Sequence, residues 1–308
     1  MSLSRTVSFC LLFYCMQFNA LCMAAIQVGD SEFETLAAGE KRAYLVHVPP
    51  QYDGSTPMAL VLALHGGGGN MRIQANESYY HQLSAADQHG YIVVFPNGYS
   101  RLPGGRLATW NAGNCCGAAQ KKNINDVAFI RQVIHDMQQR ANIDPQRIYA
   151  QGMSNGGMMA YRLACELSEL ITAVASVAGT DGTTDCQPSQ AVSILHINAQ
   201  DDDHVHFQGG FGEKSPAHVA FTSVPATIQK WTRLLQTTST AERVLTVPGA
   251  YCDLYSGGKQ HSEVKLCVTA SGGHSWPGGN KVRGSAAGST AISANDLIWQ
   301  FFNTHTRQ

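Results

Sequence analysis

Residues 148–164 read Ile-Tyr-Ala-Gln-Gly-Met-Ser-Asn-Gly-Gly-Met-Met-Ala-Tyr-Arg-Leu-Ala. A short apolar run meets Gly152, then Ser154, then Gly156, and continues into a stretch with helical spacing. Glycines two positions either side of a serine let the chain turn sharply from strand to helix, with the hydroxyl held clear of the sheet. Ser154 is therefore the first candidate nucleophile, on an elbow between a strand and a helix expected to end near Leu170.

Outward from the elbow, strands and helices alternate. Met58–Leu64 (M-A-L-V-L-A-L) is a continuous apolar run, as expected of a strand buried on both faces of a mainly parallel sheet. Further strands are expected at 42–48, 91–95, 171–177, 192–197, 243–247 and 264–269. Asp126 opens a helix on which Val127, Ile130, Ile134 and Met137 share a face, and Asp144-Pro145 should break the chain before the elbow strand. Helices are also expected at about 226–235 and 292–302. This alternation predicts an α/β fold with helices on both faces of the sheet. No linker or repeat divides residues 25–308, which read as one domain.

Composition narrows the functions. At 44% hydrophobic the chain can build a large core, and its formal net charge of −1 presents no basic field for nucleic acid or an anionic membrane. Residues 1–24 carry Arg5, then the apolar Phe9–Met16, and lead to the small pair Ala24-Ala25, the pattern of a secretory signal peptide. Gln17 and Asn19 leave the run short of a membrane span. A secreted protein is expected, with no membrane association after cleavage.

Outside that leader the cysteines are Cys115, Cys116, Cys165, Cys186, Cys252 and Cys267, an even set that points to three disulfides in an exported chain. Cys252 and Cys267 flank a hairpin-like segment, and a bridge there should contribute about 3 kcal/mol. Cys115 and Cys116 are expected to reach separately to Cys165 and Cys186, because neighbours bridge each other only with strain. No C-x-x-C pair has the histidine spacing of a zinc site, so no metal is expected.

A serine needs a base, and the base needs an orienting acid. On sheet hydrolases these follow the serine in the order acid, then histidine, on loops after late strands. After the strand ending at Ile197 come Asp201, Asp202, Asp203 and His204; after the strand ending near Thr269 comes Gly272-Gly273-His274-Ser275-Trp276. His274 satisfies the order as base, with His204 and His206 as competitors, while the three aspartates compete as acid. The same cluster also reads as a cation site or a solvated loop. An oxyanion hole would use the N–H of Asn155 together with Gly67 and Gly68 of the run His65-Gly66-Gly67-Gly68-Gly69. Trp110 and Trp276 are candidates for an aromatic platform beside the scissile bond, or for ordinary packing.

The set L-H-G-G-G-G (64–69), W-N-A-G-N-C-C-G (110–117), D-V-A-F-I (126–130), G-M-S-N-G-G-M-M-A-Y-R-L-A-C-E (152–166) and G-G-H-S-W-P-G-G (272–279) resembles the secreted esterases related to polyhydroxybutyrate depolymerases and feruloyl esterases. The resemblance implies an α/β-hydrolase fold and a serine carboxylesterase mechanism, with Ser154 as nucleophile and His274 as base. The family's acid loop, G-T-x-D-x-x-V-P-Y, aligned on Val205, places the acid at Asp202. The departures at Ala199, Gln200 and His206 leave Asp201 and Asp203 open. No cofactor is implied. Expected substrates are feruloyl or related esters of plant polysaccharide, with hydroxybutyrate oligomers as the alternative. A serine peptidase or acyltransferase shares the chemistry, and a non-catalytic polysaccharide- or polymer-binding protein is the reading from another class.

Overall fold

The computed structural model describes residues 26–282 and 287–307, so the predicted leader lies outside them. The apolar run Met58–Leu64 forms β3, and its side chains serve two cores in alternation. Leu60, Leu62 and Leu64 join one, while Ala59, Val61 and Ala63 join the other. Burial on both faces explains why the run lacks polar interruptions. Each fully buried leucine contributes about 1.5–3 kcal/mol.

Around β3 stand β1 (Gly29–Ala37), β2 (Glu40–Val48), β4 (Ile92–Pro96), β5 (Ile143–Met153), β6 (Ala173–Val177) and β7 (Ser193–Ala199). A small hairpin, β8 (Gly210–Phe211) with β9 (Ala220–Phe221), precedes β10 (Glu242–Val247), β11 (Ala250–Tyr255) and β12 (Val264–Thr269). The main sheet runs β1-β2-β4-β3-β5-β6-β7-β12-β11-β10. Its centre, from β4 to β12, is parallel, and antiparallel pairs close both edges. One face carries the helices Asp126–Arg140, Asn155–Glu166 and Val224–Leu235; the other carries Ala294–Asn303 and Gln82–His89. This is the α/β-hydrolase architecture, with helices on both faces. Among the described residues no helix is long and apolar enough to cross a membrane.

The parallel strands bring their C-terminal ends to one edge, because Leu64 pairs with Gly152, Met153 with Val177, Val177 with Ile197, and Ala199 with Thr269. Loops leaving such an edge are where open α/β sheets build their sites.

Several sequence expectations need correction. Pro145 does not end the chain before the elbow strand: β5 begins at Ile143, and its register against β3 shifts between Ile143 and Ile148, so proline sits where no ladder bond is required. The elbow helix stops at Glu166 rather than near Leu170. Cys252 and Cys267 bridge as expected, from facing positions of β11 and β12. Cys115 and Cys116 instead pair with each other, and Cys165 pairs with Cys186. The loop after β6 carries Cys186 past the C-terminal end of the elbow helix, bringing its Cα within 5.2 Å of that of Cys165 and leaving the neighbours to one another.

Candidate active site

Ser154 sits between β5 and the helix Asn155–Glu166 with φ 56° and ψ −121°, a conformation that side-chain-bearing residues avoid. The glycines around it explain how this is possible. A Cβ on Gly152 would overlap the backbone of Gly156, and one on Gly156 would overlap the carbonyl of Leu64. The Ser154 N–H donates to Val177 O at 2.8 Å, and the side chain makes no capping hydrogen bond to its own helix. Its hydroxyl is thus not committed to the helix it precedes. The N–H of Asn155 opens that helix, where no intrahelical acceptor exists.

The glycine loop after β3 lies directly against this turn. A Cβ on Gly66 would stand 3.6 Å from Ser154 Cβ, and one on Gly67 would stand 3.5 Å from Asn155 Cβ. Gly68, expected as an oxyanion donor, has its N–H engaged by Ala108 O at 2.8 Å, in a small bridge that pins residues 98–109 onto the loop. Its amide points at protein, not at a substrate carbonyl. The loop is braced by His65, whose Nδ1–H donates to Gly66 O at 2.8 Å while Nε2 accepts from the Gly98 N–H at 2.9 Å. Those two partners fix the neutral tautomer, and burial holds its pKa down to about 4.

Trp110 and Trp276 do not form a platform. Both are buried, at 0% and 2% exposure. The Trp110 indole donates to His65 O at 2.9 Å, and its backbone is clasped by Asn155, whose Oδ1 accepts the Trp110 N–H at 2.7 Å and whose Nδ2 donates to Trp110 O at 3.1 Å. Trp276 donates to Asn295 Oδ1 at 3.1 Å and packs edge-on against Tyr80. Each indole braces a loop from beneath.

Across the sheet edge, the loops after β7 and β12 meet. His274 Nδ1 stands 2.9 Å and 3.1 Å from the two carboxylate oxygens of Asp202, so Nδ1 carries the proton and Nε2 presents its lone pair. The Asp202 side chain is fully buried, and its Oδ1 also accepts the backbone N–H groups of His204 and Val205, both at 2.9 Å. The neighbouring acids have other partners. Asp201 accepts the N–H of Gly273 at 2.7 Å and of Gly272 at 3.3 Å, fixing the turn that carries His274. Asp203 takes the Lys214 ammonium and the His204 Nδ1–H, each at 2.6 Å, and the lysine bond above all holds its carboxyl down to about 2. His206 takes no part in these contacts.

Among the described residues, Asp202, His204 and His274 gather closely enough to be considered as metal ligands. The two imidazoles stack at 4.6 Å and 13°, and the Nδ1 of each is engaged by a carboxylate, His204 by Asp203 and His274 by Asp202. Sequence reasoning missed the Asn155 side chain as a clasp, and it missed Lys214, which no local pattern ties to Asp203.

Comparisons with known proteins agree with this architecture. The family model "Esterase PHB depolymerase" matches residues 42–204, 163 of 308. Feruloyl esterase B of Piromyces equi is 30% identical over 240 residues, covering 76% of this chain and 42% of that protein. A probable feruloyl esterase C of Aspergillus niger is 29% identical over 194 residues, covering 59% and 64%. The chain thus spans less than two thirds of the length of either relative. Among solved structures, an acetyl xylan esterase from Aspergillus awamori superposes with a TM-score of 0.61 over 89% of this chain and 99% of that one, at 12% identity, a likeness of fold. By the extent of the family match, the chain belongs to the esterase PHB depolymerase family.

Proposed function

We propose that the protein hydrolyses carboxylic esters through an acyl-enzyme, with Ser154, His274 and Asp202 as the reacting set. The observation that carries this reading is the fully buried Asp202 carboxylate on His274 Nδ1, at the same sheet edge as the strained Ser154 turn. His274 Nε2 takes the Ser154 proton as Oγ attacks the ester carbonyl. The tetrahedral oxyanion is held by the N–H groups of Asn155 and Gly67. Collapse expels the alcohol, protonated by His274, and water then repeats the sequence to release the acid. Asp202 keeps the imidazole in the tautomer this requires and stabilises the imidazolium.

The substrate class proposed is feruloyl or related esters of plant polysaccharide, supported by the names of the relatives. Hydroxybutyrate oligomers are the second reading, supported by the family description. We further propose that residues 1–24 are a secretion signal and that residues 25–308 form one catalytic domain; three cysteine pairs support export. Hydrolysis rates on methyl ferulate, acetylated xylan and hydroxybutyrate oligomers decide the substrate. Methyl ferulate is expected to turn over fastest, and faster release of hydroxybutyrate would transfer the assignment to polyester.

A further inference from the structure

The face of the His274 ring is covered as carefully as its edge. His274 is carried by a turn with Gly272 at φ 120° and Gly273 at φ 57°, so the two residues before it offer no side chain to restrain it. The torsion that spins an imidazole about its Cβ–Cγ bond is broad and only weakly two-fold. Asp202 holds one ring nitrogen through both of its carboxylate oxygens, but these contacts lie at one edge and give the face of the ring no support. The second restraint is His204, whose ring lies over that of His274 at 4.6 Å and 13°.

His204 is itself fixed. Its Nδ1–H donates to Asp203 Oδ1 at 2.6 Å, and the other oxygen of that carboxylate takes Lys214 Nζ at 2.6 Å. Lys214 belongs to the excursion after β7, tied back by its N–H on Asp203 O at 3.1 Å. A run from the lysine through the aspartate thus ends in a flat ring laid on the base. The same four residues, 202–205, supply the acid on the edge of His274 and the plate on its face.

We propose that His204 is a positioning residue for the ester hydrolysis, holding the His274 ring in the plane where Nε2 meets Ser154, with Asp203 and Lys214 as its tether. The inference rests on the reading of Ser154, His274 and Asp202 as the reacting set. Only the flatness of residue 204 is required, not its ability to carry a proton. The backbone N–H that His204 donates to Asp202 is retained in any non-proline variant, so side-chain changes separate the plate from the acid.

The test compares wild type, His204→Ala, His204→Phe and Ser154→Ala on a small aryl ester, with thermal midpoints alongside. His204→Ala should lower kcat about 10-fold with KM changed less than about 2-fold, because misplacement of a base affects the reacting geometry more than substrate binding. His204→Phe should restore kcat to within about 3-fold of wild type, since a phenyl ring keeps the stack. The melting temperatures of the two variants should match. An unchanged kcat in His204→Ala overturns the proposal, as does a loss confined to KM, or a phenylalanine variant as slow as the alanine one. Turnover surviving in Ser154→Ala would instead defeat the underlying reaction assignment, whatever the His204 variants do.

Discussion

The elbow and the loops that face it place their residues by opposite means. At Ser154 the backbone decides: a positive φ on the turn from strand to helix, with glycines too crowded to bear a Cβ on either side. At His274 the side chains decide, through three consecutive aspartates with three separate partners. The elbow carries its instruction within five residues. The acid and histidine loops take theirs from contacts between segments about 70 residues apart, so neighbours of identical chemistry acquire different tasks.

The sharpest way to break this contrast is to remove each charge of the aspartate run in turn. Asp202→Asn should reduce turnover about 10⁴-fold, because an amide favours the wrong tautomer of the base. Asp201→Asn should cost roughly 10- to 100-fold by loosening the turn of His274. Asp203→Asn, which acts only through His204, should cost less than about 10-fold. Steady-state kinetics on an aryl ester ranks them, and any other order would mean that the side-chain partners do not assign the roles.

A smaller effect compares the buried histidines of the two regions. His65 braces the glycine loop beside the elbow, and His196 lies within β7 beneath the acid loop, its Nδ1 2.8 Å from the Tyr161 hydroxyl. Burial holds both down to about 4 in the folded state. The unfolded chain protonates them near 6.5, so it binds more protons than the native state between those values. Stability is therefore fully present above about pH 6.5 and is lost as pH falls towards 4, by about 3 kcal/mol for each histidine. Thermal melts of wild type and His196→Gln at pH 7 and 4.5 should show a smaller acid-side drop in the variant. An equal drop would show that His196 does not contribute.

The same contrast explains what was legible in the sequence. β3 was found at its observed limits because burial on two faces leaves a run of apolar residues, and the elbow because sterics demand its glycines. Ser154, the loop of Gly66–Gly69 and the turn of His274 also stood out, each being punctuated by glycine. β1 and β11 were not anticipated: β1 alternates exposed and half-buried positions at the sheet edge, with a charged and polar outer row that resembles a loop. Trp110 and Trp276 read equally as a platform or as packing, and only their partners, His65 O and Asn295 Oδ1, decide for packing. The fate of Gly68 depended on Ala108, forty residues away, and the disulfide partners on how the β6 loop passes the elbow helix. Each failure involves a choice that local pattern does not encode.

The most direct measurement is peptide mapping by mass spectrometry after reaction with a fluorophosphonate. The adduct should fall on Ser154 alone, and Ser154→Ala should fold with the wild-type melting temperature and take up no label. An adduct on another residue, or no labelling of wild type, would contradict the proposal that Ser154 is the nucleophile of an esterase.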